Sequence, residues 1–165
     1  MIELSTIRDL VAIAGVLIAL VYYIINIRNQ RETRQAQLFM SIYDKLEHPD
    51  MTERVQEVLF KYSFQTPEEF NEKYGMENNP EAYYKVMHLN DLLEGIGVFV
   101  REGLVDVRLV ALLDSGLITN YWRKYESVWR DWRIRNDWPR AAAEVEYLYN
   151  RIMEYGKQHP ELEIK

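Results

Sequence analysis

His88, Asp91 and Glu94 recur every three residues, a spacing that sets one imidazole and two carboxylates on one face of a helix. Such a trio can ligate a divalent metal or carry acid–base work. A di-iron bundle needs Glu-x-x-His on two helices plus two further carboxylates, and the chain supplies no second copy. His48 precedes the helix-breaking Pro49 and His159 lies in the C-terminal stretch, so neither remaining histidine is readily held beside other ligands. The trio therefore reads first as a structural polar network or a solvated face, with no metal and no cofactor expected, and second as a metal-centred enzyme or ligand sensor.

The run Tyr121 to Trp138, YWRKYESVWRDWRIRNDW, interleaves aromatic and basic residues as some nucleic-acid surfaces do. Its period argues otherwise. Trp122, Tyr125, Trp129 and Trp132 follow a 3, 4, 3 spacing on one helix face, which predicts an aromatic core with Arg123, Arg130 and Arg133 snorkelling round its edges. Glu126, Asp131 and Asp137 blunt any phosphate field, and 20 Lys+Arg against 26 Asp+Glu leave a net charge of −6, so nucleic acid is not an expected partner. Gly95 and Gly97 inside an apolar helix each cost about 1 kcal/mol relative to Ala, which predicts close approach of another helix. No Gly-x-x-x-x-Gly-Lys loop, Gly-x-Ser-x-Gly elbow or His-Glu-x-x-His helix is present, and the absence of Cys removes thiol chemistry and Cys-ligated zinc.

The elements that hold these residues begin with a solvent preference. At 165 residues the chain has room for one modest domain, and 48% hydrophobic residues are too many for a disordered one. They are unevenly placed. Leu10 to Ile27 reads LVAIAGVLIALVYYIINI, 18 residues without a charge, covering about 27 Å of hydrocarbon as a helix. Thr6 and Asp9 give a start signal for a helix from Ile7, with Arg8 snorkelling outward. A cleaved signal peptide needs a basic start, a shorter apolar region and a small-residue cleavage site, whereas this run ends in Asn26-Ile27-Arg28-Asn29-Gln30, so an uncleaved anchor is expected. Arg8 alone precedes the span and Arg28, Arg31 and Arg34 follow it, which predicts the C-terminal part in the cytoplasm and the N-terminus outside. Tyr22 and Tyr23 suit the headgroup level at the same end, where the arginines can meet anionic headgroups at about 1 kcal/mol each. Gly15 and Ala19 form a small-xxx-small pair through which two spans can approach.

Between Val16 and His48 there is no further Gly and no Pro, so the span should continue as one helix to Glu47. Asp50 with Glu53 predicts a capping box for the next helix, and Thr66-Pro67-Glu68-Glu69 opens a short one that Gly75 closes. Asn79-Pro80-Glu81 opens a helix ending at Gly103. Asp106 opens a short one ending at Ser115-Gly116, a further helix carries the tryptophans, and Asn136 to Pro139 marks the last start, with Gly156 its end. No strand pattern occurs. The expected architecture is all-α: residues 1–6 outside, 7–27 spanning, 28–156 a cytoplasmic bundle of about six helices, and 157–165 a polar tail.

An N-terminal span, an Arg-containing helix, Leu93-Glu94-Gly95-Ile96-Gly97-Val98, Arg101, Gly103-Leu104-Val105-Asp106, Trp122, Glu126 and Glu146-Tyr147-Leu148 together resemble an uncharacterised family of prokaryotic single-span proteins, catalogued as a domain of unknown function. The resemblance implies a helical cytoplasmic domain at a prokaryotic cell membrane and brings no catalytic residues. Glu94, Glu126 and Glu146 then stand as candidates for buried hydrogen bonds to Arg or Trp partners, with Trp122 and Trp129 as aromatic framework. The expected function is a membrane-anchored, non-catalytic interaction protein, adaptor or accessory subunit, with lipid and a protein partner as its contacts. The rivals are a homo-oligomer paired through the span and the His88/Asp91/Glu94 enzyme or sensor.

Overall fold

The computed structural model describes residues 4–164, apart from the side chains of residues 5–7. Among these residues it is all-α: α1 (Leu4–Leu46), α2 (Pro49–Gln56), α3 (Pro67–Tyr74), α4 (Pro80–Arg101), α5 (Val107–Arg135) and α6 (Ala143–Gln158). The chain divides into two compact units, one ending at Gln37 and the other beginning at Leu38. α1 is helical from Leu4, ahead of the Ile7 start expected from Thr6, whose side chain lies outside those described. It is long and apolar enough to cross a membrane, and none of its apolar stretch is buried within the chain.

In the second unit the same residue types turn inward. Phe39, Ile42 and Leu46 from the end of α1 join one core with Val86, Leu89 and Leu93 of α4, Ile118, Tyr121, Trp122 and Tyr125 of α5, and Leu148 and Ile152 of α6. Each fully buried Leu or Ile contributes about 1.5–3 kcal/mol of hydrophobic stabilisation. Two core hydroxyls find acceptors: Tyr121 donates to Asn90 Oδ1 (3.3 Å) and Tyr125 to the Val58 carbonyl (2.9 Å).

Local chemistry sets most helix ends. Thr66 accepts from the Glu69 N–H and Asn79 from the Ala82 N–H, each with proline at the first helical position. Asp106 caps α5 through the Arg108 N–H. Gly103, at φ 65°, closes α4 as the Leu104 N–H reaches back to the Phe99 carbonyl at 2.8 Å.

Four expectations are corrected. The Asp50–Glu53 capping box does not form: α2 starts one residue earlier on Pro49, its N-cap is His48, and no side chain caps it. The tryptophan helix does not break at Ser115-Gly116. Gly116 keeps helical geometry in open space while Val110, Ala111 and Ile118 on either side bury into the core, so tertiary packing carries α5 through the weak point. α6 starts at Ala143 rather than near Asn136, and it runs past Gly156 to Gln158. Beyond it, Pro160–Leu162 makes a 3₁₀ turn and Ile164 packs on the core, so the polar tail carries an apolar contact.

One irregularity has a visible cause. After α2 the helix widens to a π turn over Glu57–Lys61, and the Lys124 ammonium donates to the carbonyls of Val58, Leu59 and Tyr62 at 2.9, 2.6 and 2.6 Å. Three carbonyls converging on one cation satisfy acceptors that a regular helix end leaves open. Burial pushes the Lys124 amine below its ordinary range.

Candidate functional site

Gly97 on α4 decides where α6 can begin. A Cβ there would overlap the backbone of Glu144, so only glycine lets the two helices approach this closely. Gly95, about 200° away around the helix, has open space instead, and its expected close approach is not found. One residue of the pair has a packing partner.

That approach brings the Glu94 carboxylate to the start of α6. Its Oε1 accepts from the N–H groups of Glu144 (2.9 Å) and Val145 (3.0 Å). Ala142 at the N-cap is left-handed (φ 51°) and offers no side-chain acceptor, so a residue 50 positions away does the capping. Burial pushes the Glu94 carboxyl above the usual range, and the two backbone donors offset part of the rise. This is why no start signal was readable next to Ala143.

Basic residues brace the same junction. Arg101 donates to Glu144 Oε2 at 2.6 Å and lies 3.9 Å over the Tyr147 ring. Arg133 donates to the Ala141 carbonyl and to Glu146 Oε2, both at 2.7 Å, so it is turned inward rather than snorkelling as expected. Arg130 links Glu126 (2.9 Å) to Glu146 (2.8 Å). Glu126 is therefore part of a half-exposed ion-pair chain and not a buried hydrogen-bonding group, whereas Glu146 receives two guanidinium groups. Trp122 and Trp129 are buried in the core, as their spacing predicts.

Beside the junction lies a cleft of about 230 Å³. Three indoles wall it: Trp129 and Trp132 meet at 81° with centroids 6.2 Å apart, and Trp132 and Trp138 at 51° and 5.5 Å. Asp91 and Glu94 supply carboxylates, and Arg140 stands at the same cleft. Trp138 is brought there by the turn after α5, where its N–H bonds the Arg133 carbonyl (3.0 Å). Its place could not be read from helical period, because the turn takes it off the α5 stripe.

The His88/Asp91/Glu94 trio does not assemble. His88 and Asp91 are exposed, the His88 Nδ1 is engaged by Arg54, and Glu94 is committed to α6. Among the described residues no group of three His, Asp or Glu side chains is placed to hold a metal ion.

In the first unit Tyr22, Tyr23, Arg28, Arg31 and Arg34 are all exposed, with Arg28 paired to Glu32 at 3.2 Å. Gly15 has no atom within 4 Å of a Cβ built on it, and Ala19, one turn on, is exposed.

No curated protein and no solved structure matches the chain. One family model, described as a domain of unknown function (DUF4760), matches residues 9–152, an interval that takes in both the apolar helix and nearly all of the helical domain. The chain therefore belongs to the DUF4760 family.

Proposed function

We propose that the protein is a single-pass, non-catalytic adaptor of the cell membrane, with a short N-terminus outside and the helical domain in the cytoplasm, docking on a protein partner or membrane complex. The observation that carries this reading is α1, whose uncharged stretch exposes its apolar side chains in every direction, whereas the second unit has buried its own. Water would charge heavily for that exposure, and lipid does not. Arg28, Arg31 and Arg34, after the span, support the orientation. Tethering raises the effective concentration of the domain at the membrane, so a modest intrinsic affinity suffices for docking.

The absence of Cys makes the topology directly testable. With Ser5→Cys, an impermeant maleimide should label intact cells; with Ser127→Cys, on the exposed side of α5, labelling should require lysis. The reverse pattern would overturn the orientation. Cross-linking in native membranes should then recover a heteromeric adduct, and recovery of free monomer alone would count against an adaptor.

Pairing of two spans through Gly15 and Ala19, small exposed residues one turn apart, is a second reading. Under it, Gly15→Leu abolishes cross-linked dimers; unchanged cross-linking removes that face.

A further inference from the structure

We propose that the tryptophan-walled cleft between α4 and the turn leading into α6 binds a small soluble organic ammonium ion, of the quaternary or methylated amine type. The indoles of Trp129, Trp132 and Trp138 pack on one another at 81° and 51° and line a space of about 230 Å³, a size suited to a compact ligand rather than a peptide or nucleotide, with Trp138 the most exposed of the three. Indole faces attract cations through the ring quadrupole, and the attraction grows as water is excluded.

Charge pairing around the cleft points the same way. Its one cation, Arg140, shares Glu144 (3.3 Å) with Arg101, and the neighbouring Arg133 shares Glu146 with Arg130. Among the described residues the two carboxylates of the cleft have no basic partner in an ion pair: Asp91 is exposed without one, and Glu94 accepts only from backbone N–H groups. Asp91 and Glu94 against the single Arg140 leave the lining with an excess of negative charge. Burial raises the Glu94 carboxyl toward its neutral form, a cost that a bound cation relieves. A phosphate-bearing headgroup fits less well, because its anion would meet the same two carboxylates. The site stands on the second unit alone and does not depend on the adaptor reading.

The test is titration of the full chain, in a maltoside detergent free of ammonium groups, with choline chloride and with its uncharged isostere 3,3-dimethylbutanol, followed by tryptophan fluorescence and calorimetry. Choline should bind saturably and at least ~10-fold more tightly than the alcohol, the factor expected for a partly desolvated cation–π site. Asp91→Asn, at an exposed position without an ion-pair partner among the described residues, should weaken choline binding about three- to tenfold with an unchanged thermal melt, and Trp138→Ala should weaken it to a similar degree in a domain that still melts cooperatively. Arg140→Gln should tighten it, the opposite of what an anion site shows. Equal binding of choline and the alcohol, no saturable binding of choline, or weaker binding in Arg140→Gln would each overturn the proposal. So would unchanged binding in both Asp91→Asn and Trp138→Ala.

Discussion

Leu17 and Leu93 are the same side chain on helices of the same kind, yet Leu17 is 56% exposed and Leu93 is 0% exposed. The contrast extends to their neighbours: Ile18 is 70% exposed while Ile96 is 2%. Helix formation alone cannot separate them, since both stretches have the propensity for it. What separates them is whether the chain itself covers their apolar faces. The unit from Leu38 onward closes its apolar stripes on one another, while the uncharged residues 10–27 keep an apolar surface on all sides, as lipid would tolerate.

Substitutions should therefore act on one unit at a time, and the largest effect belongs to the core. Trp122→Ala should cost the helical domain about 3–5 kcal/mol in chemical denaturation while leaving carbonate-resistant membrane association intact. Loss of both together would break the separation. Leu17→Arg should do the converse, adding about 2.5–3.5 kcal/mol to insertion of the span. The carbonate-resistant fraction should fall, with the domain's melting transition unmoved.

Two smaller tests sharpen the picture inside the domain. Gly97→Ala forces a methyl into the Glu144 backbone and should destabilise by about 1–3 kcal/mol, whereas Gly95→Ala, in open space, should be neutral or stabilise by up to about 1 kcal/mol. Equal effects at the two glycines would remove the close approach as the reason for Gly97.

The smallest effect concerns Asp114, whose carboxyl is raised from 3.8 to about 6 by burial and, secondarily, by the Glu47 charge. Between those values the folded state holds more protons than the unfolded state, so stability falls as pH rises through the window and is restored on acidification. Asp114→Asn should raise stability at pH 7 by on the order of 1–2 kcal/mol and change little near pH 4, as read from paired denaturation curves.

Much of the architecture was legible because it is written in local chemistry. Thr66-Pro67, Asn79-Pro80 and Asp106 satisfy orphan N–H groups within three residues, so the helix starts they specify follow from the order of the residues. Gly116 misled for the complementary reason. A glycine marks a stop only where nothing else holds the helix, and the core on either side of it does.

The apolar helix, the all-α class, the aromatic stripe of α5 and the starts of α3, α4 and α5 were determined by the sequence itself, since periodicity and capping act over a few residues. Only the tertiary structure decided the start of α6, the inward turn of Arg133, the insertion of Lys124 into three carbonyls and the meeting of three tryptophans with Asp91 and Glu94. Each of those depends on groups brought together from distant parts of the chain. Their partners are fixed by how helices pack, and spacing along one helix carries no record of it.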